Sequence, residues 1–201
     1  MNLFKKHESN IDEILREKAK DFTPIMIEGC NKSVDDFSII LANDKIKNLS
    51  EEEKFKVFVE QVLFIHHLAD RIISEWLKDT KKADIFINVL LRDSQDYLLN
   101  NYGVDKYIPD FRNSFISAFR KDQIKYRNGT WAFETANLIQ LFCVRMCLLI
   151  KTGIPENMMK SLTESAGVLA ENTMDLYEAL WDMLKKGYTE KTRGLFNSGD
   201  F

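Results

Sequence analysis

The sequence is poor in residues that interrupt helices. Its 201 residues include only 8 glycines and 3 prolines, the two residue types with the lowest helix propensity. Their scarcity favours long helices with few breaks. No stretch shows the convincing alternation of apolar and polar residues that predicts a half-buried strand, even beside Asn128-Gly129, a clear turn signal. We therefore predict an all-α fold.

Long apolar runs and an excess of positive charge are also missing. The longest apolar run, Leu141 to Ile150, is interrupted by Arg145 and is shorter than the roughly 20 residues that cross a bilayer. The N-terminus becomes polar at Lys5, before a signal peptide could form. The net charge of −3 gives no overall basic character for binding nucleic acid. We expect a cytoplasmic protein whose partner is neither a membrane nor a nucleic acid.

Cysteine is scarce as well. The three cysteines are Cys30, Cys143 and Cys147, and no two of them have the Cys-x-x-Cys spacing of a metal or redox pair. Cysteine often behaves as a small buried hydrophobic residue, so we expect buried thiols. Free thiols are typical of a reducing compartment, which agrees with the expected cytoplasmic location.

The familiar catalytic motifs are absent from the sequence. It contains no phosphate-binding loop, no Gly-x-Gly-x-x-Gly and no Gly-x-Ser-x-Gly. A ferritin-like di-iron centre needs two Glu-x-x-His units, but Leu63 and Phe64 stand three residues before His66 and His67. The sequence therefore predicts no catalytic residue and no metal ligand, and it identifies no cofactor.

The clearest helical pattern runs from Ser50 to Lys78. Ser50 and Glu53 have the spacing of a capping box. The apolar stripe then alternates spacings of four and three residues through Phe55, Val59, Val62, His66, Ala69, Ile73 and Trp76. Other apolar residues lie on the opposite side, so we expect neighbouring helices on both faces.

The rest of the chain predicts a single-domain bundle of six to eight helices over residues 1–187, followed by a flexible tail at 188–201. Besides Ser50–Lys78, the predicted helices are Asn10–Lys20, a short segment that restarts at Thr23-Pro24 and ends near Gly29, Ser33–Asn48, Lys82–Asn101, Asp110–Lys125, Thr130–Lys151 and Glu156–Lys186. The restart is expected because proline suits the first helical position. Apolar residues surround Thr130–Lys151, which predicts a place in the middle of the bundle.

His66 lies within the apolar stripe, and Asp70 follows one helical turn later. A buried polar group needs a hydrogen-bond partner. The simpler interpretation is a neutral core histidine that bonds to Asp70 or to a backbone carbonyl. The alternative is a histidine that contacts a ligand or metal in a bundle cavity.

Arg145 lies in the most apolar part of the chain. Arginine keeps its charge in a protein interior, so a buried arginine needs an anion. We expect an ion pair with a carboxylate on another helix, for example Asp70, Asp93 or Asp96. The alternative is a site for a carboxylate or phosphate ligand.

The last predicted helix places acidic residues on one face: Glu164, Glu171, Asp175, Glu178 and Asp182. The simpler interpretation is a solvated outer face. The alternatives are a divalent-metal site and a docking surface for a basic partner.

These features favour a non-catalytic protein that acts through protein–protein association, either with itself or as an adaptor. If the monomer does not cover its long apolar stripes, a two-fold homodimer is the expected way to cover them. The alternative function is a bundle, including an enzyme, that binds a small anionic molecule or a metal. Its pocket would be formed by His66, Asp70 and Arg145.

Overall fold

The computed structural model describes residues 2–127 and 131–192, and these residues form six α-helices without a strand. The predicted all-α, multi-helix fold is therefore confirmed. The helices are α1 (Asn2–Asn43), α2 (Glu51–Leu77), α3 (Thr80–Tyr102), α4 (Phe111–Arg127), α5 (Trp131–Ile150) and α6 (Met159–Thr192). Two 3-10 turns, Val104–Lys106 and Glu156–Met158, precede α4 and α6.

The central helix of the bundle is α2, which contacts each of the other five helices. Its N-terminus has the predicted capping box: the Ser50 hydroxyl accepts a hydrogen bond from the Glu53 amide at 3.2 Å, and the Glu53 carboxylate accepts one from the Ser50 amide at 3.0 Å. Every residue from Val57 to Ile73 except Glu60 is buried. The expectation that α2 has neighbours on both faces is confirmed.

One continuous helix, α1, replaces the three short segments that were predicted, so the break at Thr23-Pro24 and the helix start at Ser33 are wrong. A proline inside a helix costs about 3 kcal/mol and leaves the carbonyl of Lys20 without its helical donor. Lys20 is exposed, so water can bond to that carbonyl. Each fully buried apolar side chain contributes about 1.5–3 kcal/mol, and buried residues lie on both sides of the proline: Phe22 before it and Met26, Ile27 and Cys30 after it. Packing of α1 against α3 and α6 therefore outweighs the local cost.

The C-terminus of α1 lies at Asn43 rather than near the predicted Asn48. Lys45 adopts a left-handed conformation with φ 56°, which ends the helix. Lys47 follows, and its ammonium group donates hydrogen bonds to the carbonyl oxygens of Ile150 at 3.0 Å and Thr152 at 2.6 Å. The α1–α2 connection thereby fixes the C-terminal end of α5.

The position of α5 differs from the prediction, since it lies at the edge of the bundle and not in its middle. Its side chains Val144 and Leu148 are 46% and 56% exposed. Among the side chains described for α5, the buried ones occupy one face: Phe142, Cys143, Met146, Cys147 and Ile150. The helix packs mainly against α6 and α2. The apolar composition of α5 predicts more burial than its described side chains have, because α2 already fills the centre of the bundle.

The helical spacing of Leu162, Ala166, Leu169, Thr173, Leu176, Leu180 and Met183 predicts an apolar seam along the last helix, and α6 has this seam. Five of these residues are fully buried, and Leu176 and Met183 are partly buried. The Gln61 side chain of α2 donates a hydrogen bond to the Thr173 hydroxyl at 3.0 Å. The helix continues to Thr192, past the predicted boundary at 187, and residues 193–201 of the predicted tail lie outside the described residues. Across the described helices, none combines the length and the apolarity needed to cross a membrane.

Candidate functional site

Polar side chains run through the interior along α2. Gln61, His66, His67, Asp70 and Arg71 are each at most 4% exposed. Such groups are costly to bury unless each has a partner. They are buried because α2 is surrounded by other helices, so its polar residues face neighbouring helices as well as its apolar ones. The partners of these side chains decide whether the interior is a site or a structural network.

Both ring nitrogens of His66 have hydrogen-bond partners. Nδ1 lies 2.7 Å from the Val62 carbonyl oxygen, which can only accept, so Nδ1 carries the proton. In the neutral ring Nε2 then accepts from the Ser94 hydroxyl at 3.0 Å. Burial lowers the pKa of His66 to about 4 against the weaker opposing effect of backbone carbonyls. This geometry fits the interpretation of a neutral core histidine, with a carbonyl and a hydroxyl as partners.

The neighbouring His67 packs against α4. Its ring stacks on Phe119 with centroids 4.6 Å apart and an interplanar angle of 14°. Burial is the main cause that lowers the pKa of His67 to about 3, and the charges of His66 and Arg145 lower it further. Both adjacent histidines are therefore neutral at neutral pH. The sequence did not single out His67 as a buried group, because its helical position suggested the polar edge of α2.

Asp70 is held by α4. The Gln123 side-chain amide donates a hydrogen bond to Asp70 Oδ2 at 3.1 Å, and Asp70 is only 1% exposed. Gln123 in turn accepts a hydrogen bond from the Arg120 guanidinium, which also binds the Asn88 side chain on α3. The carboxylate thus begins a polar chain that joins α2, α4 and α3.

Arg145 forms ion pairs with two helices. Its Nε lies 2.7 Å from Glu60 Oε1 on α2, and its Nη1 lies 3.1 Å from Asp122 Oδ2 on α4. Neither carboxylate was among the predicted partners. The arginine side chain is 35% exposed, because α5 lies at the edge of the bundle. The geometry is that of a partly buried structural ion pair.

The surroundings of Glu60 in this cluster raise its pKa. Burial raises it, the Arg145 guanidinium lowers it by less, and the charge of Asp122 raises it again. The net result is a pKa above the usual value for glutamate. The cluster holds two carboxylates and one guanidinium, so it is already rich in negative charge and offers little attraction to an added anion.

The three predicted site residues are therefore each engaged with protein groups. The two cavities described for this structure are lined by other residues. Within residues 2–127 and 131–192, no group of three or more His, Cys, Asp or Glu side chains is arranged to hold a metal ion. A ligand pocket formed by His66, Asp70 and Arg145 stays a prediction.

An acidic surface lies on the outer side of α6. We define the acidic face as Glu164, Glu171, Asp175, Glu178 and Asp182, all of which are exposed. The first and last of these positions are 18 residues apart, or about 27 Å at 1.5 Å per residue. Val168 lies among them and is 39% exposed. The solvated outer face predicted from the sequence corresponds to this surface.

A cavity of about 280 Å³ opens between α1 and α6 beside the acidic face. We call it the α1–α6 cleft. It is lined by Gly29, Lys32, Ser33, Asp36, Asn172, Asp175 and Leu176. The sequence does not reveal this cleft, because the spacing of Ser33 and Asp36 predicts the start of a helix there. Both residues instead lie inside α1, in its C-terminal part.

Comparison with known proteins assigns no family, since no family model, no curated protein and no solved structure matches the chain. The class that the fold and surface define is an all-α, multi-helix protein with buried polar side chains along α2 and an acidic face outside. Any functional conclusion has to rest on these residues.

Proposed function

We propose that this protein is a non-catalytic adaptor that binds a basic segment of another protein on the acidic face of α6. The observation that carries the proposal is the line of five exposed carboxylates along about 27 Å of one helix. Among the described side chains of α6, Lys160 is the only basic one, and its ammonium group lies 3.8 Å from Glu164. No ion pair of Glu171, Asp175, Glu178 or Asp182 is found among the described side chains.

The spacing of these carboxylates makes them act together. Glu171, Asp175, Glu178 and Asp182 follow one another at intervals of four, three and four residues, which places neighbours about 5–6 Å apart. This distance is below the Debye length of about 8 Å at physiological ionic strength. Their fields therefore add, and such a surface attracts and orients a lysine- or arginine-rich segment.

The state of the reactive groups supports a non-catalytic role. Burial raises the pKa of the Cys30, Cys143 and Cys147 thiols, and the thiolate is the form that reacts. His66 is neutral, and both of its nitrogens are engaged. These groups are held in forms that suit a stable interior.

A direct test uses a fluorescent decamer of lysine as the probe and anisotropy as the readout. The face variant is Glu171→Gln/Asp175→Asn/Glu178→Gln. Its matched control, Glu13→Gln/Asp44→Asn/Asp105→Asn, removes the same charge from exposed positions elsewhere. Each exposed pair contributes about 0.2–1 kcal/mol, so we expect the face variant to bind about tenfold more weakly. Affinity should also fall as salt is raised from about 0.15 M to about 0.5 M.

The control variant decides whether binding is local. Parent-like affinity in the control, together with the loss in the face variant, supports docking on α6. Equal weakening of both variants would mean that the decamer responds only to net charge, and the proposal would then be wrong.

A second copy of this chain is the second candidate partner, favoured by the adjacent exposed side chains Val144 and Leu148 on α5. It ranks second because the apolar stripes of α2 and α6, which are the reason to expect a dimer, pack against other helices of the same chain. Two side chains also expose far less than the roughly 800 Å² per partner of a stable interface. Light scattering during size-exclusion chromatography measures the molar mass and so distinguishes the two candidates. A dimer mass in the parent that becomes a monomer mass in Leu148→Gln would favour self-association.

An anionic ligand held by His66, Asp70 and Arg145 is the less supported alternative. The arginine would have to leave Glu60 and Asp122 to bind it, and His66 would have to give up two hydrogen bonds. Native mass spectrometry beside a denatured control tests this alternative. A reproducible added mass that is lost in a folded Arg145→Lys variant would revive it.

A further inference from the structure

The α1–α6 cleft adjoins the acidic face and shares a residue with it. Asp175 belongs to both, and Asp36 of α1 lines the cleft as well. A chain bound along α6 would pass the opening of the cleft. The cleft volume of about 280 Å³ approaches that of small-ligand pockets, which begin near 300 Å³. One long side chain fits easily in such a space.

Ser33 lines this cleft with an unused hydroxyl. The residue is only 5% exposed, and its Oγ is buried without a hydrogen-bond partner. Buried hydroxyl groups in native proteins nearly always have a partner. A serine inside a helix can bond to the carbonyl four residues earlier, but this one does not. No described protein group uses the hydrogen-bonding capacity of this oxygen, and Ser33 lines the cleft.

The charges of the cleft indicate what that donor is. Asp36 and Asp175 provide two carboxylates, and Lys32 provides the single cation, so the net charge is negative. Neither carboxylate has an ion-pair partner among the side chains that the structure describes. A primary ammonium group has three donors and no acceptor, which matches two carboxylates and one hydroxyl oxygen. A metal ion fits less well, because no third acidic or histidine ligand is present there.

Gly29 and Leu176 form an apolar part of the cleft wall, beside Asn172. Leu176 packs against Gly29, where an added Cβ would lie only 2.5 Å from Leu176 Cδ2. The glycine thus lets the leucine of α6 reach the backbone of α1. A lysine side chain presents a methylene stem below its ammonium group, and such stems pack on apolar surface.

We infer that the α1–α6 cleft receives the side chain of a lysine from the basic partner, with its ammonium group between Asp36, Asp175 and Ser33. This inference rests on the proposed docking function, because the partner supplies the lysine. It gives the acidic face a specific anchor, since the face alone attracts any basic segment.

The test records amide NMR spectra of the whole protein during titration with N-acetyl-lysine methylamide. The same compound acetylated on its side-chain nitrogen is the control probe. We expect the ammonium probe to shift the resonances around Ser33 and Asn172 in a saturable way, and the acetylated probe to leave them unchanged.

Ser33→Ala and Asp36→Asn should each weaken binding about tenfold, as expected when one charge-assisted hydrogen bond is lost. Asp35→Asn is the matched control, because Asp35 is exposed and lies outside the cleft.

Thermal melting separates a binding role of Ser33 from a structural one. Removing an unpaired buried hydroxyl and gaining an alanine in a helix should raise the melting temperature of Ser33→Ala while ammonium binding falls. A variant that melts at a lower temperature and binds the probe normally would overturn the inference.

The decamer and the small probe distinguish the two proposals. In one outcome the decamer binds the acidic face, Ser33→Ala leaves its affinity unchanged, and the small probe does not bind the cleft. The lysine pocket is then wrong, and the adaptor function stands. If the small probe binds the cleft but the decamer does not bind α6, the ammonium site stands as a small-amine site and the adaptor function is wrong.

Discussion

Acid should unfold this protein between about pH 6.5 and pH 4. His66 and His67 are buried and neutral, and their folded pKa values of about 4 and about 3 lie below the ordinary value of 6.5. In that pH range the unfolded chain binds protons that the folded protein cannot, so the free energy of unfolding falls as the pH falls. Its slope can reach about 2.7 kcal/mol per pH unit when both histidines contribute.

The size of the effect is comparable with the whole stability of a small protein. The shift of His66 corresponds to about 3 kcal/mol at pH 4, and that of His67 to slightly more. Single domains are stable by about 5–15 kcal/mol. Glu60 acts in the opposite direction, since its raised pKa favours the folded state in acid. One partly exposed carboxylate does not offset two buried imidazoles.

Urea unfolding followed by circular dichroism at pH 7, 6, 5 and 4.5 measures this slope. The variant His66→Asn/His67→Gln replaces both rings with amides that do not titrate. It should be less stable than the parent at pH 7 but should lose most of the pH dependence. A parent protein that is equally stable at pH 7 and pH 4.5 would show that the histidines are not buried as described.

Removal of the Arg145 charge should produce the second largest effect. Arg145→Met leaves Glu60 and Asp122 facing one another without their cation. Breaking a buried ion pair costs about 3–5 kcal/mol, and an exposed pair contributes at most about 1 kcal/mol. With the arginine 35% exposed, we expect a loss of about 2 kcal/mol in the free energy of unfolding at pH 7.

The pH dependence of that loss identifies its cause. Without the guanidinium, the pKa of Glu60 should rise further, because the lowering effect of Arg145 is gone. The defect should therefore shrink as the pH falls and Glu60 takes up a proton in the folded state. The difference in stability between parent and variant, measured at pH 7 and pH 5.5, tests this. Arg145→Lys keeps the charge and should retain most of the stability, whereas a defect of equal size at both pH values would indicate lost packing.

Structural features that depend only on residues close together in the chain could be predicted from the sequence. The capping box at Ser50 and Glu53 requires only four consecutive residues, and it forms as expected. The seam of α6 could be identified from its spacing. Pro24 misled the prediction because its local cost is opposed by burial against α3 and α6, which are distant in sequence.

Features that depend on the relative rotation of helices could not be derived in this way. Arg145 was correctly expected to need a carboxylate, but the sequence does not say which side of α2 and α4 it faces. The α1–α6 cleft joins Asp36 to Asp175 across most of the chain. Its unpartnered Ser33 hydroxyl becomes visible only when the packing around α1 is known.

Titration of the lysine decamer against four proteins side by side tests the central claim, that the surface of α6 and not the polar interior carries the function. The proteins are the parent, the face variant, its matched control and Arg145→Lys. We expect about tenfold weaker binding by the face variant and parent-like binding by the other two variants. Weaker binding by folded Arg145→Lys, with the face variant unaffected, would contradict it and place the function in the interior.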